Sequence, residues 1–264
     1  MNDLQVHLIH ADMLTIGKSW NAREVRSSFW RLYINNRDGA GVWTADGWYP
    51  LPAGRVHLIP AYVRFTCQNE ASIRHLYVHF DLLGVTPALQ ERTFARPASL
   101  PVWPEATRLL RLYGQGRFPP TCPVAMCQTL AVAMGSLARM TEQLPHAARQ
   151  QLADAFAAPN PIRPALQLLE QRLPMGASVP ELAEACAFSP DHFARLFRTV
   201  MQQTPGQYVL QRRIALAARQ LLYGTRSIDS IAQEHGFANR FHFTRAFCRE
   251  MGTTPAAYRK SQRV

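Results

Sequence analysis

The chain has 264 residues, 47% hydrophobic and 18% charged, a composition that excludes general disorder and a length that suits two compact domains or one large one. Lys and Arg total 29 against 18 Asp and Glu, a formal net charge of +11. That excess points to a polyanionic partner without choosing among nucleic acid, an anionic membrane surface and an acidic ligand.

Lys18 and Lys260 are the only lysines, so nearly all the positive charge is arginine. Codon usage explains this as well as a need for bidentate contacts to phosphate and guanine does. Five cysteines (Cys67, Cys122, Cys127, Cys186 and Cys248) form no CxxC pair, which argues against a disulfide framework or a zinc ribbon. The first thirteen residues have an early acidic group and no long apolar run, so no secretory signal is expected. The most apolar stretch, Pro123–Ala138, is interrupted by Gln128, Thr129 and Ser136 and is too short to span a bilayer. A soluble, cytoplasmic chain with no membrane partner is expected.

In chain order, residues 25–82 read as short strands. Ser28–Ile34 alternates, with Trp30, Leu32 and Ile34 on one face and Phe29, Arg31 and Tyr33 on the other. Asp38-Gly39 and Asp46-Gly47 are hairpin signals. Arg55–Ile59 and Tyr62–Cys67 flank Pro60, and Ile73–Phe80 alternates again, with His75, Tyr77 and His79 on one face. Strands at this spacing predict a barrel or sandwich. Residues 84–104 hold Gly84 and four prolines and read as a connecting loop. Glu105–Tyr113 and Cys122–Leu144 read as helices. In the second, Cys127, Leu130, Met134, Leu137, Thr141 and Leu144 form a heptad-like stripe, suited to dimerisation or to packing on the chain's own barrel. Pro159, Pro161 and Pro164 mark a linker, after which the pattern is helical. Three regions follow: 1–100 as a barrel, 101–159 as a helical connector and dimerisation region, and 160–264 as an all-α domain.

The last region contains an internal repeat. His192-Phe193-Ala194-Arg195-Leu196-Phe197 returns as His242-Phe243-Thr244-Arg245-Ala246-Phe247, and the agreement runs on through Met201/Met251, Thr204-Pro205/Thr254-Pro255 and Tyr208/Tyr258 at a constant offset of 50. Each copy follows a shorter helix, Pro180–Cys186 and Ser227–His235, with Leu182-Ala183 and Ile231-Ala232 as buried pairs and Phe188 and Phe237 after the turns. These parts align at an offset of 49, so the second turn is one residue longer. Ser189 and Asn239 stand where N-caps are needed, and Pro190 suits the first helical position. Each copy is thus a helix-turn-helix.

The three-four spacing turns Phe193, Leu196, Phe197 and Val200 inward and leaves Asp191, Ala194, Arg195 and Arg198 outward. In the second copy Phe241, Thr244, Arg245 and Cys248 lie outward, flanked by Arg240 and His242. An outward Arg on the second helix of such a unit suits bidentate contact with guanine in the major groove. The expected DNA-binding set is Ser189, Asp191, His192, Ala194, Arg195, Arg198, Asn239, Arg240, Phe241, His242, Thr244 and Arg245. The helix Pro205–Leu222 would hold the two units at a fixed separation, roughly 34 Å if both enter one face of the duplex. Residues 160–264 hold 14 Lys and Arg against 7 Asp and Glu, a net +7, leaving +4 for the longer N-terminal part.

Residues of about 165–260 resemble the DNA-binding domain of AraC/XylS-type transcription regulators. The resemblance rests on Leu182-Ala183, Ser189, Phe193-x-Arg195-x-Phe197, Tyr208, Arg213-Ile214-x-x-Ala217, Leu221-Leu222, Ile231-Ala232, Gly236-Phe237, Phe243-x-Arg245-x-Phe247 and Thr254-Pro255-x-x-Tyr258-Arg259. Two positions depart from the family pattern. Ala187 stands where Gly is common, and Asp191 stands where a neutral or aromatic reader is common. Asp191 either accepts from cytosine N4 or pairs with Arg195 one turn on.

Upstream, Gly47–Pro60, with Pro52-Ala53-Gly54 before Val56–Pro60, is similar to the cupin-like double-stranded β-helix that precedes this module in the family. The fold implied is α+β: an N-terminal cupin-like β-barrel, a helical connector and a C-terminal domain with two helix-turn-helix units. The resemblance implies a non-enzymatic regulator of transcription, with double-stranded DNA, RNA polymerase, a second copy of the chain and a small-molecule effector, sugars among the candidates, as partners. A polar pocket lined by Arg31, Tyr33, His75, Tyr77 and His79 is one reading of the strand faces; the barrel's outer surface is the other. Trp30, Trp43 and Trp48 suit either stacking on a sugar or core packing. Arg64 stands near where a metal-binding cupin carries His, and His75 and His79, with His57 as a candidate third, lack a placed carboxylate, so no metal or other cofactor is expected. The rival classes are a cupin-type metal enzyme or isomerase with an accessory DNA-binding domain, and a constitutive DNA-binding protein whose barrel serves only for dimerisation.

Overall fold

The computed structural model describes residues 4–27, 29–115, 122–157, 160–173, 175–201, 203–223, 225–251 and 254–261. Ser28 and Pro159 therefore lie outside the described residues, as does the side chain of Leu222. The chain divides into two compact units between Asp154 and Ala155.

The N-terminal unit contains β1 (Gln5–Ile16), β2 (Trp30–Asn35), β3 (Ala40–Thr44), β4 (Gly47–Pro50), β5 (Arg55–Ile59), β6 (Thr66–Asn69), β7 (Ile73–Leu83), α1 (Pro87–Thr93), β8 (Ala98–Pro101), α2 (Pro104–Gly114) and α3 (Pro123–Glu142). The strands form two antiparallel sheets, ordered β1-β7-β2-β5-β8 and β4-β3-β6. They do not close into one continuous barrel, but the pair of sheets is consistent with the cupin-like reading. Between them Ile16, Trp20, Tyr33, Val42, Leu51, Ile59, Phe65, Cys67 and Ile73 make one apolar core.

β1 was not expected: its two-residue alternation breaks at a register shift between Leu8 and His10, which hides the strand from a period count. Asp46-Gly47 closes a true hairpin between β3 and β4, with Gly47 at φ 107°. Asp38-Gly39 instead carries the chain from one sheet to the other. The expected strand Tyr62–Cys67 begins only at Thr66, because Tyr62 turns the chain at φ 68°. The proline-rich segment 84–104 holds α1 and β8 rather than only loop. Pro87 occupies an early α1 position, where its missing N–H costs nothing, and Thr86 Oγ1 accepts from Leu89 N at 3.2 Å.

On α3, Ala125, Thr129, Val132, Ala133, Ser136, Leu137 and Met140 are buried, and the helix packs on β1 and β7 of its own unit. The heptad-like stripe is therefore split. Leu137 faces the unit's interior, whereas Cys127 and Met134 stay exposed and Leu130 half-buried.

After α4 (His146–Ala157) comes the helical unit: α5 (Arg163–Gln171), α6 (Val179–Ala185), α7 (Pro190–Met201), α8 (Pro205–Tyr223), α9 (Ile228–Glu234), α10 (Arg240–Met251) and α11 (Pro255–Ser261). Its first half is centred on Leu169, Leu182, Ala183, Phe193, Phe197, Met201 and Tyr208. Ile231, Ala232, Phe237, Phe243, Ala246, Phe247, Met251 and Tyr258 are buried in the second half.

Candidate nucleic-acid interface

The sequence repeat is a repeat of physical parts. Ser178 caps α6 through a complete capping box with Glu181, and Ser227 Oγ caps α9 by accepting from Ser230 N at 3.0 Å. Both helices end in the same doubly bonded turn. Phe188 N donates to Ala183 O and Phe237 N to Ala232 O, each at 2.9 Å, while Ala187 N and Gly236 N reach Glu184 O and Gln233 O at 2.9 and 3.0 Å. This is the Schellman arrangement, whose penultimate residue is left-handed.

The second helices follow at once. Asn239 Oδ1 accepts from His242 N at 2.8 Å and Ser189 Oγ from His192 N at 3.4 Å. Their inner faces carry matching chains of rings: Phe193, Phe197 and Tyr208 at 5.6 and 6.0 Å, and Phe243, Phe247 and Tyr258 at 5.5 and 5.3 Å. These contacts fix the rotation of α7 and α10, and so decide what faces outward.

Arg195, Arg198 and Arg245 are exposed, and among the described residues none has a side-chain hydrogen bond or ion pair. Asp191 is also exposed and makes no ion pair with Arg195 among the described residues, which removes one of its two expected roles. Ala194 and Thr244 are half-buried, and Phe241 is 86% exposed. Several members of the expected set are already engaged within the protein. The side chains of Ser189 and Asn239 serve as caps. His192 and His242 are exposed but edge-packed on Phe188 and Phe237 at 4.9 and 5.8 Å. Arg240 NH1 reaches Asp229 Oδ2 at 3.2 Å, a pair that the sequence pattern did not suggest. A shallow depression of about 480 Å³ beside α10 is lined by Ile228, Arg240, Phe241, Arg245, Thr254 and Pro255.

The frame behind α7 and α10 is held by α8. Tyr208 OH and Arg212 Nε both donate to Glu170 Oε1 at 2.8 Å, and Arg212 NH2 reaches Oε2 at 3.2 Å. One residue on, Arg213 Nε donates to Leu173 O at 2.9 Å and NH1 to Gly236 O at 3.3 Å. Arg213 thereby joins the end of α5 to the turn of the second unit. The acceptors that Arg212 and Arg213 reach, two of them backbone carbonyls, carry no sequence signal.

In the N-terminal unit, the expected pocket residues lie inside, not on an outer surface. Arg31, Tyr33, His75 and His79 are buried and Tyr77 is half-buried. Pairing places Arg31 opposite His79, and Tyr33 opposite both Tyr77 and His57. Trp43 does not join them; it is 49% exposed on β3, donates to Gln68 Oε1 at 2.9 Å and packs on Trp48. Trp30 is core. Burial holds the histidines neutral: His75 is pushed down to about 3, His79 well below its ordinary value, and His57 down against its bond to Pro52 O. Arg64 pairs with Glu24 at 3.0 Å. Among the described residues no group of three or more His, Cys, Asp or Glu is placed to hold a metal, and no helix is long and apolar enough to cross a membrane.

Comparison with known proteins agrees with this geometry. A family described as a helix-turn-helix domain matches residues 182–261. Regulatory protein SoxS of Salmonella typhimurium is 34% identical over 98 residues, which are 37% of this chain and 92% of SoxS. Probable transcription factor PqrA of Proteus vulgaris is 34% identical over 106 residues, 39% of this chain and 87% of PqrA. The chain belongs to the AraC/XylS family of transcription regulators. As an AraC/XylS-type protein it is a DNA-binding transcription regulator and not an enzyme. The fold of the whole chain resembles that of ToxT from Vibrio cholerae, with a TM-score of 0.54 over 100% of this chain and 99% of ToxT, at 10% identity. A ToxT structure bound to (E)-4-(8-methylnaphthalen-1-yl)but-3-enoic acid aligns with a TM-score of 0.56 at 9% identity over 96% of this chain and 98% of that one.

Proposed function

We propose that this regulator reads two successive major-groove segments of a duplex with α7 and α10, and that a small molecule bound in the N-terminal unit biases that reading. The supporting observation is the equivalence of Arg195 and Arg245: same offset, same outward face, same capped helix, and no side-chain partner among the described residues. Asp191, His192, Ala194 and Arg198 flank the first; Arg240, Phe241, His242 and Thr244 flank the second. Ser189 and Asn239 orient the helix starts. Residues 160–264 form the DNA-binding region in this reading, 1–100 the sensor and 101–159 the connector. The protein works in the cytoplasm as a homodimer and communicates with RNA polymerase.

The effector reading rests on Arg31. Its side chain is 1% exposed; NH1 bonds Ser27 Oγ, while Nε and NH2 have no hydrogen-bond partner among the described residues. The guanidinium lies 4.5 Å from the Phe29 ring centre and 5.2 Å from that of Phe65, and the histidines around it are neutral. A buried cation without a counter-ion costs several kcal/mol, roughly, which a carboxylate held bidentately offsets. This favours a small acid, sugar acids included, over a neutral sugar, with Tyr33, His75, Tyr77 and His79 as the surrounding wall. Differential affinity of the effector for two arrangements of the protein is the only means by which it can shift DNA binding. Gel-shift titration with and without a stabilising ligand tests the proposal. A change in affinity or half-site spacing supports it, and identical binding and transcriptional output in both states refutes the sensing part.

A further inference from the structure

We propose that Phe241 reads the 5-methyl group of a thymine in the major groove, and that α7 and α10 of one protomer therefore recognise chemically different sub-sites. The inference rests on the DNA-reading role of α10. Asn239 caps the helix, so Arg240–Phe243 form its first turn, the part of a recognition helix that meets base edges. Phe243 and Phe247 bury their rings, but Phe241 is out of phase with them and 86% exposed, and it makes no ring contact among the described residues. Such a side chain contributes nothing to the free protein's core and gains only when another apolar group covers it.

The surroundings select that group. Arg245, one turn on, presents a guanidinium with no side-chain partner among the described residues, and the depression beside Phe241 combines the apolar Ile228 and Pro255 with Arg240 and Arg245. A cationic rim around an apolar ring suits a polyanion that exposes a methyl group at a defined position. Among the four bases only thymine presents one in the major groove. The residue at the same place on α7, fifty positions earlier, is Asp191, exposed and free of an ion pair with Arg195. A carboxylate there repels phosphate and accepts from cytosine N4. The two helices share caps, cores and arginines but present opposite chemistry at this one position.

The test starts from duplexes selected by the full chain from a random pool. Each thymine in the sub-site that Arg245→Ala weakens is replaced in turn by deoxyuridine, which removes the methyl and nothing else, and affinity is read by fluorescence anisotropy. One position is expected to lose about fourfold, the worth of one buried methyl. Phe241→Ala should bind the thymine and deoxyuridine duplexes alike, with an unchanged thermal melt. Wild-type protein indifferent to the methyl at every position overturns the proposal, as does a variant that keeps the full thymine preference. Indifference there with DNA binding intact would assign the exposed ring to a protein partner. Failure of the wild-type chain to select any duplex overturns the DNA-reading role instead, and this inference with it.

Discussion

Ala187 and Gly236 occupy the same place in the two helix-turn-helix units, and both stand at positive φ, 57° and 72°. The turn demands a left-handed residue whatever its identity, because two backbone bonds must close over it. For alanine that conformation costs roughly 1–2 kcal/mol, partly offset by glycine's greater freedom when unfolded. Ala187→Gly should therefore stabilise the helical unit by up to about 1 kcal/mol, and Gly236→Ala should destabilise it by a similar amount. Chemical denaturation of both variants checks this. An Ala187→Gly protein less stable than the parent would show that the turn tolerates its alanine without strain.

The neutral histidines make the N-terminal unit sensitive to acid. His75 titrates at about 3 in the folded chain because it is buried, against roughly 6.5 unfolded. The unfolded state thus binds more protons between these values. The stability from a neutral His75 is fully present above about pH 6.5 and declines as pH falls toward 3. From this residue alone, about 2 kcal/mol is lost by pH 5. Thermal melts at pH 7.5 and 5.0 should show the loss, and His75→Asn, whose amide nitrogen takes the place of Nδ1 beside Asn35 Oδ1, should reduce it. Equal pH dependence in parent and variant would contradict the assignment.

Arg31 anchors the proposed effector. Thermal-shift screening of small carboxylic acids against the matching amides should find stabilisation by acids only, growing with ligand concentration. Arg31→Met should remove that response while Trp43→Ala, outside the pocket, retains it. An amide that stabilises as well as its acid would exclude charge recognition by Arg31.

The outward residues of α3 are the candidate dimer surface. Val124 and Met134 are each more than half exposed, whereas Leu137 is buried in the unit's own interior. Met134→Glu should shift the protein toward monomer in sedimentation without changing its melt; Leu137→Glu should lower the melt itself, because it buries a charge. A Met134→Glu protein with an unchanged dimer would place the interface elsewhere.

The helical unit was largely legible because each of its parts has a local signature. Ser189 and Asn239 announce helix starts, Gly236 a turn, and the Phe spacing a core face. The sheet unit was less so. The bulge after Leu8 shifts the alternation of β1, and β2 is buried on both faces, so its polar residues resembled a solvent face. Alternation grouped Arg31, Tyr33, His75, Tyr77 and His79 on one face, whereas Trp43 stands apart from them, since its neighbour Val42 takes the inward position on β3. The Asp229–Arg240 pair and the bond from Arg213 to Gly236 O depend on tertiary placement and leave no periodic trace.

The central claim is that α7 and α10 each read a segment of the same duplex. Selection from a random duplex pool with the parent, Arg195→Ala and Arg245→Ala proteins tests it most directly. A bipartite motif with sub-sites about one helical turn apart is expected. Each variant should lose information in one sub-site only, at a cost of about 1–3 kcal/mol. A motif with a single sub-site, or two variants that weaken every sequence uniformly, would contradict it.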